Sequence, residues 1–204
     1  MDTKEAIVLG CLAGGAMTLT IAMVYRHSLP FSEFFIVTFL SISSSFAGGK
    51  ILLWASSRTL LFTTSAILMI FLLWQYVSNK IHIQYRLSMI IIIPIGILHG
   101  LLQGSIGMAG PILAIYALLR KWTKETALAT LNMVAFLSLA TVSITQYFNG
   151  LYTKQLINIS PYAIISTVAG SSLSVYALKY LKSSIFKKLM ILMISFSSLV
   201  LFIR

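Results

Sequence analysis

Acidic residues are nearly absent: Asp2, Glu5, Glu33 and Glu125 are the only four in 204 residues, and each falls at the edge of an apolar run. This excludes a buried carboxylate pair for acid–base catalysis and a carboxylate proton relay. The single cysteine, Cys11, has no second thiol to pair with, so neither a disulfide nor a thiolate metal site is expected, and it reads as a small packing residue. His27 and His82 lie in loops and His99 stands alone in an apolar run, which leaves no metal cluster and no cofactor to expect. With no nucleophile beside a base, no catalytic set is visible and the chain does not read as an enzyme.

Charge of either sign is scarce. Charged residues make up 9% of the chain and hydrophobic ones 58%, against roughly 25% charged in an average soluble domain. Continuously apolar runs at 6–25, 34–54, 60–77, 87–119, 126–148, 156–178 and 184–203 are each long enough to cross the hydrocarbon layer as helix, which takes about 20 residues. The expectation is an all-α integral membrane protein with about seven transmembrane helices; a barrel would need strands of about ten residues alternating in polarity. The first run is not a secretory signal, because acids precede it, it is too long for a signal core, and it meets Arg26 with no small-residue cleavage site. Trp54, Trp74, Tyr76 and Trp122 lie near span ends, as interfacial anchors do.

The net charge of +11 does not point to nucleic acid, since the cations fall singly between apolar runs with no basic stripe. Alternating sides along seven spans puts Lys4, Lys50, Arg58, Arg120, Lys121, Lys124, Lys179, Lys182, Lys187 and Lys188 on one side and Arg26, Lys80, Arg86, Lys154 and Arg204 on the other. That excess predicts a plasma-membrane protein with a cytoplasmic N-terminus and an outside C-terminus.

The chain also resembles itself. An offset of about 120 residues pairs Thr3-Lys4-Glu5 with Thr123-Lys124-Glu125, and a two-residue adjustment pairs Tyr25 with Tyr147 and Ala47-Gly48 with Ala169-Gly170. The organisation expected is a first three-span block at 1–80, a glycine-rich broken helix at 81–122 and a second three-span block at 123–204. Duplication of this kind is the usual build of secondary transporters. If 87–119 crosses once, the two blocks run in the same direction; a re-entrant hairpin there would invert the second, and the charge bias argues for the single crossing.

Gly96, Gly100, Gly104, Gly107 and Gly110 are spaced by four, four, three and three, which puts them on one face of a helix. Close helix packing accounts for Gly96 and Gly100. Beyond residue 103 the polarity and helix breaking in Gln103, Ser105, Gly107, Gly110 and Pro111 predict irregular backbone over 104–111. Such backbone at membrane depth is tolerated only against protein or a water-filled cavity, and Pro111 then starts a second half-helix whose N-terminus favours an anion. His99 lies one turn before Gln103 on the same face and contributes either to the solute or proton path or to bonding between helices, as does Asn132. Lys50 either snorkels to the interface or neutralises an anion. Ser41, Ser43, Ser44 and Ser45 line the same path or satisfy themselves on the preceding turn.

The stretch "GLLQGSIGMAGPILAIYALL" followed by "KETALATLNMVAFLSLA" resembles the second-half signature of the sulfite exporter TauE/SafE family of membrane transporters. The resemblance places Gly100, Gly104, Gly107 and Gly110 on the motif's glycines, Pro111 near its proline and Ala129-Thr130 on its Ala-Thr pair. It departs from the motif in the thinned run Gly107-Met108-Ala109-Gly110 and in lacking a first copy. A shortened family member, a misassigned start and an element supplied by a partner subunit all remain open explanations of that lack. The resemblance implies a secondary transporter of a small anion such as sulfite or a sulfonate, working in the lipid bilayer. The expected solute site comprises His99, Gly100, Gln103, Gly104, Ser105, Gly107, Gly110, Pro111, Asn132 and Lys50. The alternative is a non-transporting membrane module that assembles with a partner subunit or as a homodimer.

Overall fold

The computed structural model describes residues 2–56, 58–60, 62–63, 65–67, 69–70, 73, 91–120 and 122–180. Among them are α1 (Thr3–Tyr25), α2 (Phe31–Trp54), α3 (Ile92–Ile106), α4 (Gly110–Leu119), α5 (Lys124–Phe148) and α6 (Lys154–Tyr180), one 3-10 turn at Arg26–Ser28, and no strand. The described positions between 58 and 73 are helical as well. Half of the expected span at 60–77 and all of that at 184–203 lie outside the described residues.

The helix starts follow from local chemistry. Asp2 caps α1: its carboxylate accepts from the Thr3 N–H at 2.7 Å while its own N–H donates to Glu5 at 3.2 Å, a reciprocal capping box. At α5 the Thr123 hydroxyl accepts from the Thr126 N–H at 3.2 Å. Both Thr-Lys-Glu triplets therefore open helices, although a different residue caps each. Thr3–Ser28, Phe31–Trp54, Lys124–Phe148 and Lys154–Ala177 are apolar and long enough to cross a membrane. Each pair is joined by a five-residue connection, 26–30 and 149–153, giving two helical hairpins of matching proportions.

The contacts fix the directions of these helices. Glu5, at the start of α1, accepts from the Thr153 hydroxyl beyond the end of α5 at 2.9 Å. Cys11 is grouped with Leu139 and Val142, and a Cβ added at Gly14 would meet Leu139 at 3.5 Å. As α1 advances its α5 neighbours recede, so the two are antiparallel. On α2, Val37 is grouped with Val134 and Ser41 meets Ser138, so α2 and α5 run in parallel. The second hairpin is thus inverted relative to the first. This corrects the expectation of blocks running in the same direction.

The inversion comes from α3 and α4. Ile92, at the start of α3, shares one buried cluster with Leu113 and Tyr116 of α4 and with Phe34 and Val37 of α2. Helix α3 descends alongside α2, the chain turns at 107–109, and α4 climbs back to the side from which α3 started. Spans of 15 and 10 residues measure about 22 and 15 Å, each short of the ~30 Å that a crossing needs. The segment is re-entrant, contrary to the single crossing expected for 87–119. The irregular stretch is also narrower than the expected 104–111, since α3 continues through Ile106 and α4 begins at Gly110.

The allocation of cations changes accordingly. Arg120 and Lys124 join Arg26 on the side of the α1–α2 connection, while Lys4, Lys50, Arg58 and Lys154 occupy the opposite side. With Lys179 at the far end of α6 also on the Arg26 side, the described cations divide four against four and carry no excess that would orient the chain. Large apolar side chains such as Phe31, Phe35 and Phe39 on α2 and Tyr162, Ile165 and Leu173 on α6 face outward, whereas Ser41, Ser45, His99, Gln103, Ser138 and Gln146 are buried. That distribution suits helices surrounded by lipid around a polar interior.

Candidate functional site

The centre of the molecule is the seam between α2 and α3. A Cβ added at Gly96 would stand 2.8 Å from the Leu40 Cβ; one at Gly100 would fall on the Ser41 carbonyl oxygen and the Ser44 hydroxyl; one at Gly104 would fall on the Ser45 carbonyl. From the other side, a Cβ at Gly48 would strike the Leu101 carbonyl oxygen. At Gly100 and Gly104 the stripe is therefore a backbone-to-backbone packing face, as small-residue seams are in bilayers, with Gly96 set against the Leu40 side chain. Gly100 and Gly104 shape the site by holding α3 against α2.

This tight seam brings polar side chains from three helices together near mid-depth. The Ser41 hydroxyl of α2 lies 2.5 Å from His99 Nδ1 of α3 and 2.8 Å from the Ser138 hydroxyl of α5, and Ser138 donates to the Val134 carbonyl at 2.9 Å. Both Ser41 and His99 are completely buried. The other imidazole nitrogen, Nε2, has no hydrogen-bond partner among the described residues. Ser43, Ser44 and Ser45 instead bond to carbonyls of their own helix at 2.7–2.8 Å, as serines in apolar helices commonly do. Ser138 was not singled out by sequence; its only signal is a hydroxyl within the apolar run "AFLSLA".

One turn further along α3, the buried amide of Gln103 donates to the Gly107 carbonyl at 3.1 Å, while the Gly107 N–H donates to the Gln103 carbonyl at 3.1 Å. Two bonds from one residue satisfy the backbone where the helix breaks, which is what a turn at membrane depth requires. Gly107 has φ 71°, left-handed backbone that residues with a Cβ adopt at a cost. A Cβ there would also lie 3.0 Å from the Cys11 sulfur. Gly107→Ala should accordingly cost about 1–2 kcal/mol from the backbone alone, read as a lowered thermal midpoint in detergent; adding Cys11→Ala should recover only the contact part, and full recovery would rule out the backbone origin.

Around the turn, the Gln146 amide approaches the Cys11 sulfur at 3.6 Å and its Oε1 is buried without a partner among the described residues. Ser105 is buried and bonds to its own helix at Leu101, 2.8 Å away. Gly110 has open space beside it, and Pro111 stands in the first turn of α4. Asn132 donates to the Leu128 carbonyl at 2.7 Å and sits six residues, about 9 Å of helix, before Ser138, so it lies away from the turn. Lys50 is exposed near the end of α2. The structure thus gathers His99, Gln103, Gly107 and their neighbours around the re-entrant hairpin, with Lys50 and Asn132 at its margins.

The return arm is anchored at its far end. Arg120 forms an ion pair with Glu33 of α2, and the Tyr116 hydroxyl donates to the same carboxylate at 2.8 Å. The hydrogen bond to Glu33 raises the pKa of the Arg120 guanidinium further above its ordinary value, so the guanidinium stays charged. Sequence reasoning missed this trio because 83 residues separate Glu33 from Tyr116. No group of three or more His, Cys, Asp or Glu side chains able to hold a metal ion occurs among the described residues.

A family model described as "Sulfite exporter TauE/SafE" matches residues 1–201. No curated protein and no solved structure gives a match.

Proposed function

Because the chain belongs to the sulfite exporter TauE/SafE family, whose description is that of a membrane exporter of sulfite, we propose that it is a secondary transporter carrying a small sulfur-containing anion, sulfite or a sulfonate, across the plasma membrane. The observation that carries this reading is the re-entrant hairpin α3–α4. It places irregular backbone and buried polar side chains inside the bilayer region, and its return arm is tied down at the far end by Arg120 and Glu33, so the polar groups sit where a hydrated anion must shed water. Inverted repeats with the solute near the midplane and broken helices at the site are the general build of such transporters.

In this reading His99, Gln103, Ser105 and the Gly107–Pro111 turn meet the solute, Gly100 and Gly104 set the spacing of the arms, and Lys50 and Asn132 attract or guide the anion at the margins. Ser41 and Ser138 join the set through their bonds to His99. Replacement of hydration by fixed amide and backbone N–H donors lowers the cost of desolvating the anion. No step calls for a nucleophile or a cofactor.

The test is flux of labelled sulfite and labelled methanesulfonate in liposomes containing only this chain. Saturable flux supports the reading, and none from folded protein refutes transport by the chain alone and favours a module that works with a partner subunit. Gly110→Leu sharpens the test. Open space beside Gly110 lets leucine fit without unfolding the protein, yet it would fill the approach to the turn. Flux should fall at least about tenfold, equivalent to about 1.4 kcal/mol, with normal insertion, and unaltered flux would move the site elsewhere.

A further inference from the structure

The polar centre at His99 has more order than a packing contact requires. Ser138 donates its one proton to the Val134 carbonyl, so its oxygen is left to accept from Ser41 at 2.8 Å. Ser41 has then spent its only proton, and its oxygen can meet His99 Nδ1 at 2.5 Å only as an acceptor. The chain therefore runs in one direction, from His99 Nδ1–H to Ser41, to Ser138 and to the Val134 carbonyl. It fixes the neutral imidazole with its proton on Nδ1 and leaves a bare lone pair on Nε2, completely buried and without a partner among the described residues. A proton added at Nε2 breaks none of these bonds.

The surroundings give that proton a purpose. Helix α2 carries no ionisable group between Glu33 and Lys50, α3 none besides His99, and α5 none between Glu125 and Tyr147. On α4 the groups are Tyr116 and, just past its end, Arg120, both engaged with Glu33, and on α1 the nearest is Cys11, which faces Gln146. An anion arriving at mid-depth therefore finds no fixed positive charge among the described residues. A buried anion and a buried imidazolium are each costly alone and far less so together, so each favours the arrival of the other, and the favour is reciprocal.

Resting on the transport reading above, we infer that His99 is the proton-carrying group of this transporter: Nε2 takes a proton from the aqueous phase on the entry side, the imidazolium holds the anion beside it, and both leave together on the other side. One monoanion and one proton then move in the same direction, and the cycle carries no net charge.

Methanesulfonate is the preferred probe, because a strong-acid anion does not itself titrate across the histidine window of about pH 5 to 8. Full-length protein in liposomes loaded with a pH-sensitive dye should show labelled anion entry accompanied by one proton each. Flux should fall about tenfold per pH unit on the alkaline limb, as expected when only the protonated fraction is competent. His99→Gln keeps a polar side chain of similar reach but cannot carry the proton, so its residual flux should be independent of pH and bring in no protons. Should that variant not fold, Ser138→Ala carries the test: it removes the acceptor that orders the chain while leaving the imidazole, and should shift the pH profile toward acid. A His99→Gln protein that keeps both the pH dependence and the proton movement overturns the inference, as does a Ser138→Ala profile identical to that of the unaltered chain. Wild-type flux of sulfite or methanesulfonate without protons overturns it while the transport reading stands, whereas absence of any saturable anion flux overturns both.

Discussion

Gly100→Ala should melt far below the unaltered protein. One methyl group suffices, because its Cβ would lie only 2.1 Å from both the Ser41 carbonyl oxygen and the Ser44 hydroxyl. A flexible side-chain tip could yield, but a helix carbonyl cannot move without carrying α2 away from α3. Overpacking a well-packed interior costs about 1–3 kcal/mol and more where backbone must shift; here the cost should reach the top of that range, a large share of the roughly 5–15 kcal/mol that holds a typical protein folded. Gly104→Ala, against the Ser45 carbonyl, should behave alike. Gly10→Ala on α1 has nothing within 4 Å and should be neutral or stabilise by about 0.5–1 kcal/mol, the usual gain of alanine over glycine inside a helix. Thermal unfolding in detergent separates the cases. A Gly100→Ala protein melting within a few degrees of the unaltered chain would mean that α2 and α3 are not in backbone contact.

This contrast also explains which parts of the molecule were legible in the sequence. The spacing of Gly96, Gly100 and Gly104 marks a packing face whatever its partner, so the stripe could be read before the partner was known. The break was legible too, because Gly107 and Pro111 interrupt helix by local chemistry, although Gln103 and Ser105 remain helical and the break is shorter than their polarity implied. Direction was not legible. A run of 33 apolar residues can cross once or turn back, and hydropathy is blind to the difference. The charge argument then followed the assumed path: reversing α5 and α6 carries Arg120 and Lys124 to the other side, and the excess disappears among the described cations.

Long-range pairing was the other hidden layer. Ser41 is one of four serines within five residues and nothing local distinguishes it, yet it alone reaches across to α3 and α5 while its neighbours bond to their own helix. Its selection depends on where the α2–α3 seam presses, which is a property of three helices at once. His99 was visible as a polar residue in an apolar run; that its Nδ1 is engaged and its Nε2 is bare follows only from the ordering imposed by Ser138. The repeat supplies a physical reason for the arrangement, since two inverted hairpins place α2 and α5 in parallel and bring Ser41 level with Ser138.

Arg120→Ala should release the return arm of the hairpin. It removes the cation that offsets Glu33, a carboxylate only 8% exposed that would keep the Tyr116 hydroxyl as a donor. Breaking a fully buried pair by deleting one partner costs about 3–5 kcal/mol. The Arg120 side chain is 27% exposed, so solvent screens part of the attraction and about 2–3 kcal/mol is the expected loss. The penalty arises from stranding a charge rather than from losing a bond. Glu33→Gln combined with Arg120→Met should therefore be less destabilised than Arg120→Ala alone, because neither charge remains to be stranded. Unfolding midpoints of the three proteins decide the matter, and a double variant no better than Arg120→Ala would show that the pair acts through specific geometry instead. Transport should follow stability only in part: α4 is the arm that carries the turn back toward the α1–α2 connection, so loosening its far end should lower anion flux in Arg120→Ala even at temperatures where the protein remains folded. The double variant keeps the Tyr116 hydroxyl beside residue 33 and should retain more of that flux. If flux instead tracks the folded fraction alone in all three, the trio holds the fold and has no separate hold on the site.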